Sequence, residues 1–198
     1  MNLVAAKLFA TLAGVSTLAL AVGAPAPEPA ITIKMKSAAD GKPVAIADVR
    51  GKAGTLVIFT CNHCPFARGW EHRIADLANG YSKKGIGVIL INANDPAKYP
   101  EDDFAGMQAR AKQLGLQVPY AMDETSGVAR ALGASVTPEA FLFDKTGKLA
   151  YHGAIDDNHR DAGAVKAHYL KDALDAVLAG RPAPLAETKG IGCGIKFR

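Results

Sequence analysis

Apolar positions along the chain change period several times. Ile31, Ile33 and Met35 alternate with Thr32, Lys34 and Lys36, the period of a half-buried strand. Asp40-Gly41 supplies a turn, and Val44 to Ile46 reads as the strand returning from it. Thr55 to Thr60 (TLVIFT) and Ile86 to Ile91 (IGVILI) are short, nearly continuous apolar runs. Such runs suit central strands covered on both faces. Between them Trp70, Ile74, Leu77, Ala78 and Tyr81 recur at helical spacing, and Gly85 closes that helix.

Pro100-Glu101-Asp102-Asp103 reads as the start of a second helix, with proline and acids in the first turn where the helix dipole favours them. Phe104, Met107, Ala111 and Leu114 continue it. A short helix over about Ser126 to Leu132 stops at Gly133. Ala140 to Phe143 and Leu149 to His152 read as a hairpin around Asp144-Lys145-Thr146-Gly147. A last helix carries Leu170, Ala173, Leu174, Val177 and Leu178, and Gly180-Arg181-Pro182 ends it. Strands that alternate with helices imply parallel pairing, and the late hairpin adds antiparallel edges. The expected class is α/β, a mixed central sheet with helices on both faces and an N-terminal β-hairpin extension.

The first residues follow another rule. A single charge, Lys7, precedes an apolar stretch from Leu8 to Val22, and the proline run APAPEPA follows. That pattern predicts a secretory signal peptide over residues 1–21, with Ala19-Leu20-Ala21 as the cleavage site. Left uncleaved, it would anchor the chain in a membrane by its N-terminus. Residues 22–30 then read as a stiff, extended proline-rich linker. Residues 31–180 form the domain, and 181–198 a glycine-rich tail. Export places the protein in the periplasm or outside the cell, where disulfides persist. The chain has 198 residues, 49% hydrophobic and 21% charged, enough for one packed core and unlike a disordered chain. Its net charge of +4 is too small and too scattered to argue for nucleic acid, and no nucleic-acid partner is expected. No membrane partner is expected once the signal is removed.

Three cysteines are too few for a disulfide-stapled scaffold, but two of them form Cys61-Asn62-His63-Cys64 where a buried strand meets a long helix. This position is expected to put the first sulfur at the helix N-terminus, where unpaired N–H groups and the dipole stabilise a thiolate. The thiolate is the species that exchanges disulfides. Cys61 is therefore read as the attacking thiol, the more exposed of the two, and Cys64 as the resolving one. A protonated His63 beside the pair would lower a thiol pKa and stabilise the reduced form, making the disulfide a stronger oxidant. Asn62 joins it in setting the potential, and Pro65 takes an early helical position where it costs no hydrogen bond. A purely structural disulfide would close almost no loop and contribute little. Half of a zinc site would need a second ligand pair, and Cys193 alone remains. Val136-Thr137-Pro138-Glu139 is the second element. A proline just before the strand run is a candidate cis-proline.

The strand, C-x-x-C, helix and later Thr-Pro before a hairpin together resemble the thioredoxin fold. The segment GKPVAIADVRGKAGTLVIFT, the CNHCPF and YPEDDF stretches and the terminal GCGIK are similar to exported, AhpC/TSA-like redoxin-domain proteins. The resemblance covers about Ile31 to Gly180. It implies a thiol–disulfide oxidoreductase in which Thr137 and Pro138 lie beside Cys61 and present their backbone to the substrate. Its partners would be protein or small-molecule thiols and disulfides, with no dissociable cofactor and no metal. Asn62-His63 replaces the usual Gly-Pro, and Thr60 the usual tryptophan. In this the chain resembles periplasmic disulfide donors more than reducing thioredoxins.

Rival readings share the motif. In a peroxiredoxin, Cys64 would be oxidised to a sulfenic acid and resolved by Cys61. The expected Pro-x-x-x-Thr-x-x-Cys pattern has Val57 and Cys61 at its proline and threonine positions. A copper-binding chaperone or redox sensor would use the two cysteines and a distant histidine, although C-x-x-C is one residue shorter than the spacing of those proteins. Cys193, flanked by Gly190, Gly192 and Gly194, is either a thiol that exchanges with the Cys61–Cys64 pair or a small residue that pins the tail. Glu139 either tunes the disulfide and transfers protons or is a solvated edge residue. His72 is expected on a helix surface and His152 in a structural place. Asp156 and Asp157 are read as loop-solvating and helix-capping acids rather than a calcium or proton site.

Overall fold

The structure is a computed structural model that describes residues 20–198. Nearly all of the expected signal peptide lies outside the described residues. Among the described residues no helix is long and apolar enough to cross a membrane.

The strands are β1 (Met35–Ser37), β2 (Pro43–Val44), β3 (Gly54–Phe59), β4 (Ile86–Asn92), β5 (Tyr120–Met122), β6 (Val136–Thr137), β7 (Glu139–Asp144), β8 (Leu149–Gly153) and β9 (Cys193–Gly194). Seven of them form one mixed sheet in the order β2-β1-β5-β4-β3-β7-β8, and β6 pairs with β9 apart from it. β3 runs parallel to β4 and antiparallel to β7, so the strand that leads into Cys61 is central. β4 is parallel to β5, β1 pairs antiparallel with both β5 and β2, and β2 and β8 are the antiparallel edges of the sheet. The expected α/β architecture is thus present, with its N-terminal hairpin β1–β2.

The helices are α1 (Glu28–Thr32), α2 (Pro65–Ser82), α3 (Phe104–Gln113), α4 (Gly127–Leu132) and α5 (Tyr169–Leu178). Alternation along the strands sorts the core. Leu56, Ile58, Val88 and Leu90 pack with Trp70 and Ile74 of α2, Met107 of α3, and Leu170 and Leu174 of α5. Val57, Phe59, Ile89 and Ile91 pack on the opposite face with Ala30 of α1 and Val128, Ala129 and Leu132 of α4. Each large side chain buried this way contributes about 1.5–3 kcal/mol. The result is a rigid platform beneath the β3–α2 junction.

Four local expectations need correction. Residues 22–30 are no extended tether. Gly23 and Ala26 donate backbone bonds to Leu149 and Gly147, and Glu28 begins α1. Pro25 bridges to Lys148, Pro27 is the N-cap of α1, and Pro29 sits in its first turn, where a missing N–H costs nothing. The strand expected from Ile31 therefore begins at Met35, because Ala30 and Ile31 are buried as helix residues. Val44 does return as a strand, but Ile46–Val49 turns into a 3-10 helix. Pro100–Asp102 is a separate 3-10 turn, and α3 is capped by Asp103, whose side chain accepts from the Gly106 N–H. Strands β5, β6 and β9, of two or three residues each, are too short to leave a period in the sequence.

Candidate active site

Cys61 and Cys64 lie between the end of β3 and the start of α2, both as free thiols. Pro65 occupies the first turn of α2, so Cys64, not Cys61, is the N-cap residue. The first sulfur was expected at the helix terminus. The proline decides otherwise, because its fixed φ suits the first helical position and Cys64 immediately precedes it. Both sulfurs are buried: Cys61 is 5% exposed and Cys64 not at all.

The Thr137–Pro138 peptide bond is cis, and Thr137 meets both sulfurs. Its Oγ1 lies 3.1 Å from Cys61 Sγ, and its carbonyl accepts from the Cys64 thiol at 3.3 Å. The two cysteines stand in opposite electrostatic positions. Cys64 is held well below the ordinary thiol range, chiefly by a hydrogen bond from Cys61 and further by Cys193 and the amides of Ala67 and Cys193. Cys61 is pushed up by that same bond, by burial and by the negative charge of Asp102.

Asp102 is the residue that sequence reasoning missed. It is fully buried and gathers the C-x-x-C loop. Its Oδ1 accepts from the Asn62 N–H at 2.7 Å, and its Oδ2 accepts from Asn94 Nδ2 at 2.9 Å. His63 Nδ1 lies 2.5 Å from the same Oδ2, and the imidazole stacks on Tyr99 with centroids 3.7 Å apart. His63 was expected to act on the sulfurs directly, but this nitrogen is committed to Asp102. Asn62 is similarly used as a brace: its Nδ2 donates to Glu101 O, and its Oδ1 accepts from Tyr120 OH. The signal that could have found Asp102 is the YPEDDF stretch, which places acids just after a short turn-forming segment. Cys61 Sγ, a His63 ring nitrogen and an Asp102 oxygen lie within 4.8 Å of one another, the donor set a metal ion would use. In this structure hydrogen bonds already occupy those groups.

The profile of the Redoxin family matches residues 21–167. The chain belongs to the redoxin family. It is 29% identical over 131 residues to the thiol-disulfide oxidoreductase ResA of Geobacillus thermodenitrificans, covering 66% of this chain and 68% of that one. Among solved structures, an uncharacterized conserved protein from Geobacillus kaustophilus superposes with a TM-score of 0.82 at 38% identity, covering 90% of this chain and 93% of its own. A hypothetical protein from Sinorhizobium meliloti 1021 gives 0.82 at 32% identity, covering 91% and 97%. This redoxin is accordingly an oxidoreductase on a thioredoxin-like fold.

The remaining sequence candidates fall in distinct places. Cys193 of β9 packs against the Cys61, Cys64 and Ala67 cluster and is paired with Thr137. Glu139 is no solvated edge residue. It is 2% exposed, and its carboxylate accepts from the Ser135 and Val136 amides and bonds to His152 Nε2 at 2.8 Å. It braces the turn that presents Thr137, and His152 is structural in that sense. His72 is exposed on α2, as expected. Asp157 is a loop acid bonded to the Lys166 amide, but Asp156 is buried and accepts from Trp70 Nε1 at 2.6 Å and from Arg73. It ties the loop after β8 to α2, a role that loop solvation does not describe.

Proposed function

We propose that this redoxin is an exported thiol–disulfide oxidoreductase that exchanges disulfides with protein or small-molecule thiols through Cys61 and Cys64. The observation that carries the reading is the contact of both sulfurs with Thr137, one through its hydroxyl and the other through its carbonyl, beside Pro138. Export rests on the charged, apolar and small-residue order of residues 1–21.

In the donor direction, a substrate thiolate attacks Cys61 Sγ, the less buried sulfur. The Cys61–Cys64 bond breaks and Cys64 leaves as a thiolate. A second substrate thiol, as its thiolate, attacks the substrate sulfur of the mixed disulfide. The substrate disulfide forms, and Cys61 departs and takes up a proton. A low-pKa thiol leaves faster, so the environment of Cys64 favours this assignment. In the opposite direction Cys64 is the resolving thiolate. Thr137 and Pro138 would hold the partner chain, while Asn62, His63 and Pro65 act through the placement of the loop and the helix.

A redox titration of the chain in glutathione buffers, read by alkylation and mass spectrometry, tests the proposal. A Cys61–Cys64 disulfide with a potential near or above about −200 mV supports a donor or isomerase, and one near about −270 mV a reductant. Failure of the two cysteines to form a disulfide at any poise overturns the reading.

A further inference from the structure

The C-terminal tail does not trail from the domain. His152 N donates to Ala186 O and Thr188 N donates to His152 O, which lays residues 186–188 along β8. Further on, Ile195 N donates to Ser135 O, Asp95 N to Lys196 O, and Lys196 N to Asn94 Oδ1. Ile195 is itself buried in the core beneath α4. Between these anchors β9 lies antiparallel on β6, with Cys193 opposite Thr137 and Gly194 opposite Val136. The glycines make this approach possible. A Cβ at Gly192 would stand 2.2 Å from Thr137 O, and one at Gly190 would stand 2.9 Å from Val136 Cγ2.

The strap therefore carries a third thiol to the pair. Cys193 packs on the Cys61–Cys64 cluster and interacts with Cys64 through both its thiol and its amide. It is also the least buried of the three, being only partly covered where the other two are enclosed. The Cys61–Cys64 pair lies under Thr137 and β9, so a solvent thiol meets Cys193 before it meets Cys64.

We propose that Cys193 is a third redox thiol, which takes over Cys64 from the Cys61–Cys64 disulfide and carries the disulfide to the surface. The proposal rests on the disulfide-exchange reading of Cys61 and Cys64. Cys193 Sγ, as its thiolate, attacks Cys64 Sγ. The Cys64–Cys193 bond forms, the Cys61–Cys64 bond breaks, and Cys61 departs with the electron pair. The proton lost by Cys193 is gained by Cys61. The protein's oxidation state is unchanged, so the step needs no outside oxidant. Its products are a surface disulfide, open to exchange with external thiols, and a free Cys61 thiol beside Thr137.

The test compares the full-length wild type with the Cys61→Ser and Cys193→Ser variants. Each is oxidised with oxidised glutathione, its remaining thiols are alkylated, and it is digested with trypsin without reduction. Trypsin places Cys61 and Cys64 in peptide 53–68 and Cys193 in peptide 190–196. Monomeric Cys61→Ser is expected to lose both remaining thiols to a bridge between these peptides, and the wild type to show a fraction of the same bridge. If Cys193→Ser forms its Cys61–Cys64 disulfide normally, while Cys61→Ser keeps Cys64 and Cys193 alkylatable or only glutathionylated, the third-thiol proposal is overturned and the two-cysteine reading stands. If Cys193→Ser cannot form the Cys61–Cys64 disulfide, the underlying reading fails, and the third-thiol proposal with it.

Discussion

Thr137 and Cys193 face one another in a two-residue antiparallel ladder, which pairs the backbone edge beside cis-Pro138 with the chain's own tail. That edge is where the redoxin would receive a partner's backbone. A partner that uses it must displace β9 or work through Cys193.

Gly192→Ala tests how firmly the strap is seated. The added methyl would meet Thr137 O and the Thr137 carbonyl carbon, backbone atoms that cannot turn aside. We expect β9 to lift from β6 and Cys64 to alkylate severalfold faster, with the far-ultraviolet circular dichroism of the domain retained. An unchanged rate of Cys64 alkylation would show that the strap does not cover it.

Asp102→Asn probes the hub of the C-x-x-C loop. An amide has one accepting oxygen, whereas the carboxylate receives donors on both oxygens, from Asn62 and Asn94. Leaving one buried donor against an NH2 group is expected to destabilise the reduced protein by about 2–4 kcal/mol. Removing the negative charge also relieves one cause of the raised Cys61 pKa. Guanidinium denaturation and pH-dependent alkylation of Cys61 read the two effects. Wild-type stability in this variant would contradict the central place given to Asp102.

Thr137→Val removes the hydroxyl that bonds Cys61 Sγ while preserving shape. That bond exists in the dithiol form, so its loss destabilises the reduced state and moves the potential negative. A net hydrogen bond of about 1 kcal/mol corresponds to roughly 20 mV. The glutathione titration measures it, and a shift to more positive potential would reverse the assigned sign.

The three thiols predict the pH dependence of the reduced protein. Cys64 titrates lower when folded than when unfolded. Its contribution is lost as pH falls through its folded pKa, grows as pH rises, and is complete above the ordinary thiol value of 9.0. Cys61 and Cys193 titrate higher when folded, so their contributions hold below that value and fade above it. Stability of the reduced chain should climb from acid pH toward about pH 9 and then fall, as far as these groups govern it. Cys64→Ser should flatten the rising limb in urea denaturation series. An equally steep limb in that variant would assign the dependence to other groups.

Much of this protein was legible in local pattern. TLVIFT and IGVILI read as central strands because residues covered on both faces must be apolar throughout. Trp70, Ile74 and Tyr81 read as one helix face because their spacing matches the helical period. Pro138 was legible as a cis candidate and Cys61-x-x-Cys64 as the chemistry. The identity of the capping cysteine was also available, since Pro65 at the first helical position makes Cys64 the N-cap. The helix at Glu28–Thr32 was obscured because prolines serve extended chain and helix starts alike.

The sequence by itself determined the order of the longer strands and helices, the sheet class and the residue types that can exchange electrons. Each of these depends on neighbours within one turn or one strand, where covalent geometry and hydrophobic period act directly. Only the tertiary structure decided what surrounds the sulfurs. Asp102 reaches Asn62 across 40 residues, Thr137 reaches Cys61 across 76, and Cys193 meets Cys64 from the far end of the chain. Those contacts exist because the sheet brings strand ends together and buries them. Burial and charge at such a meeting point set each thiol's ionisation, and no local pattern encodes them.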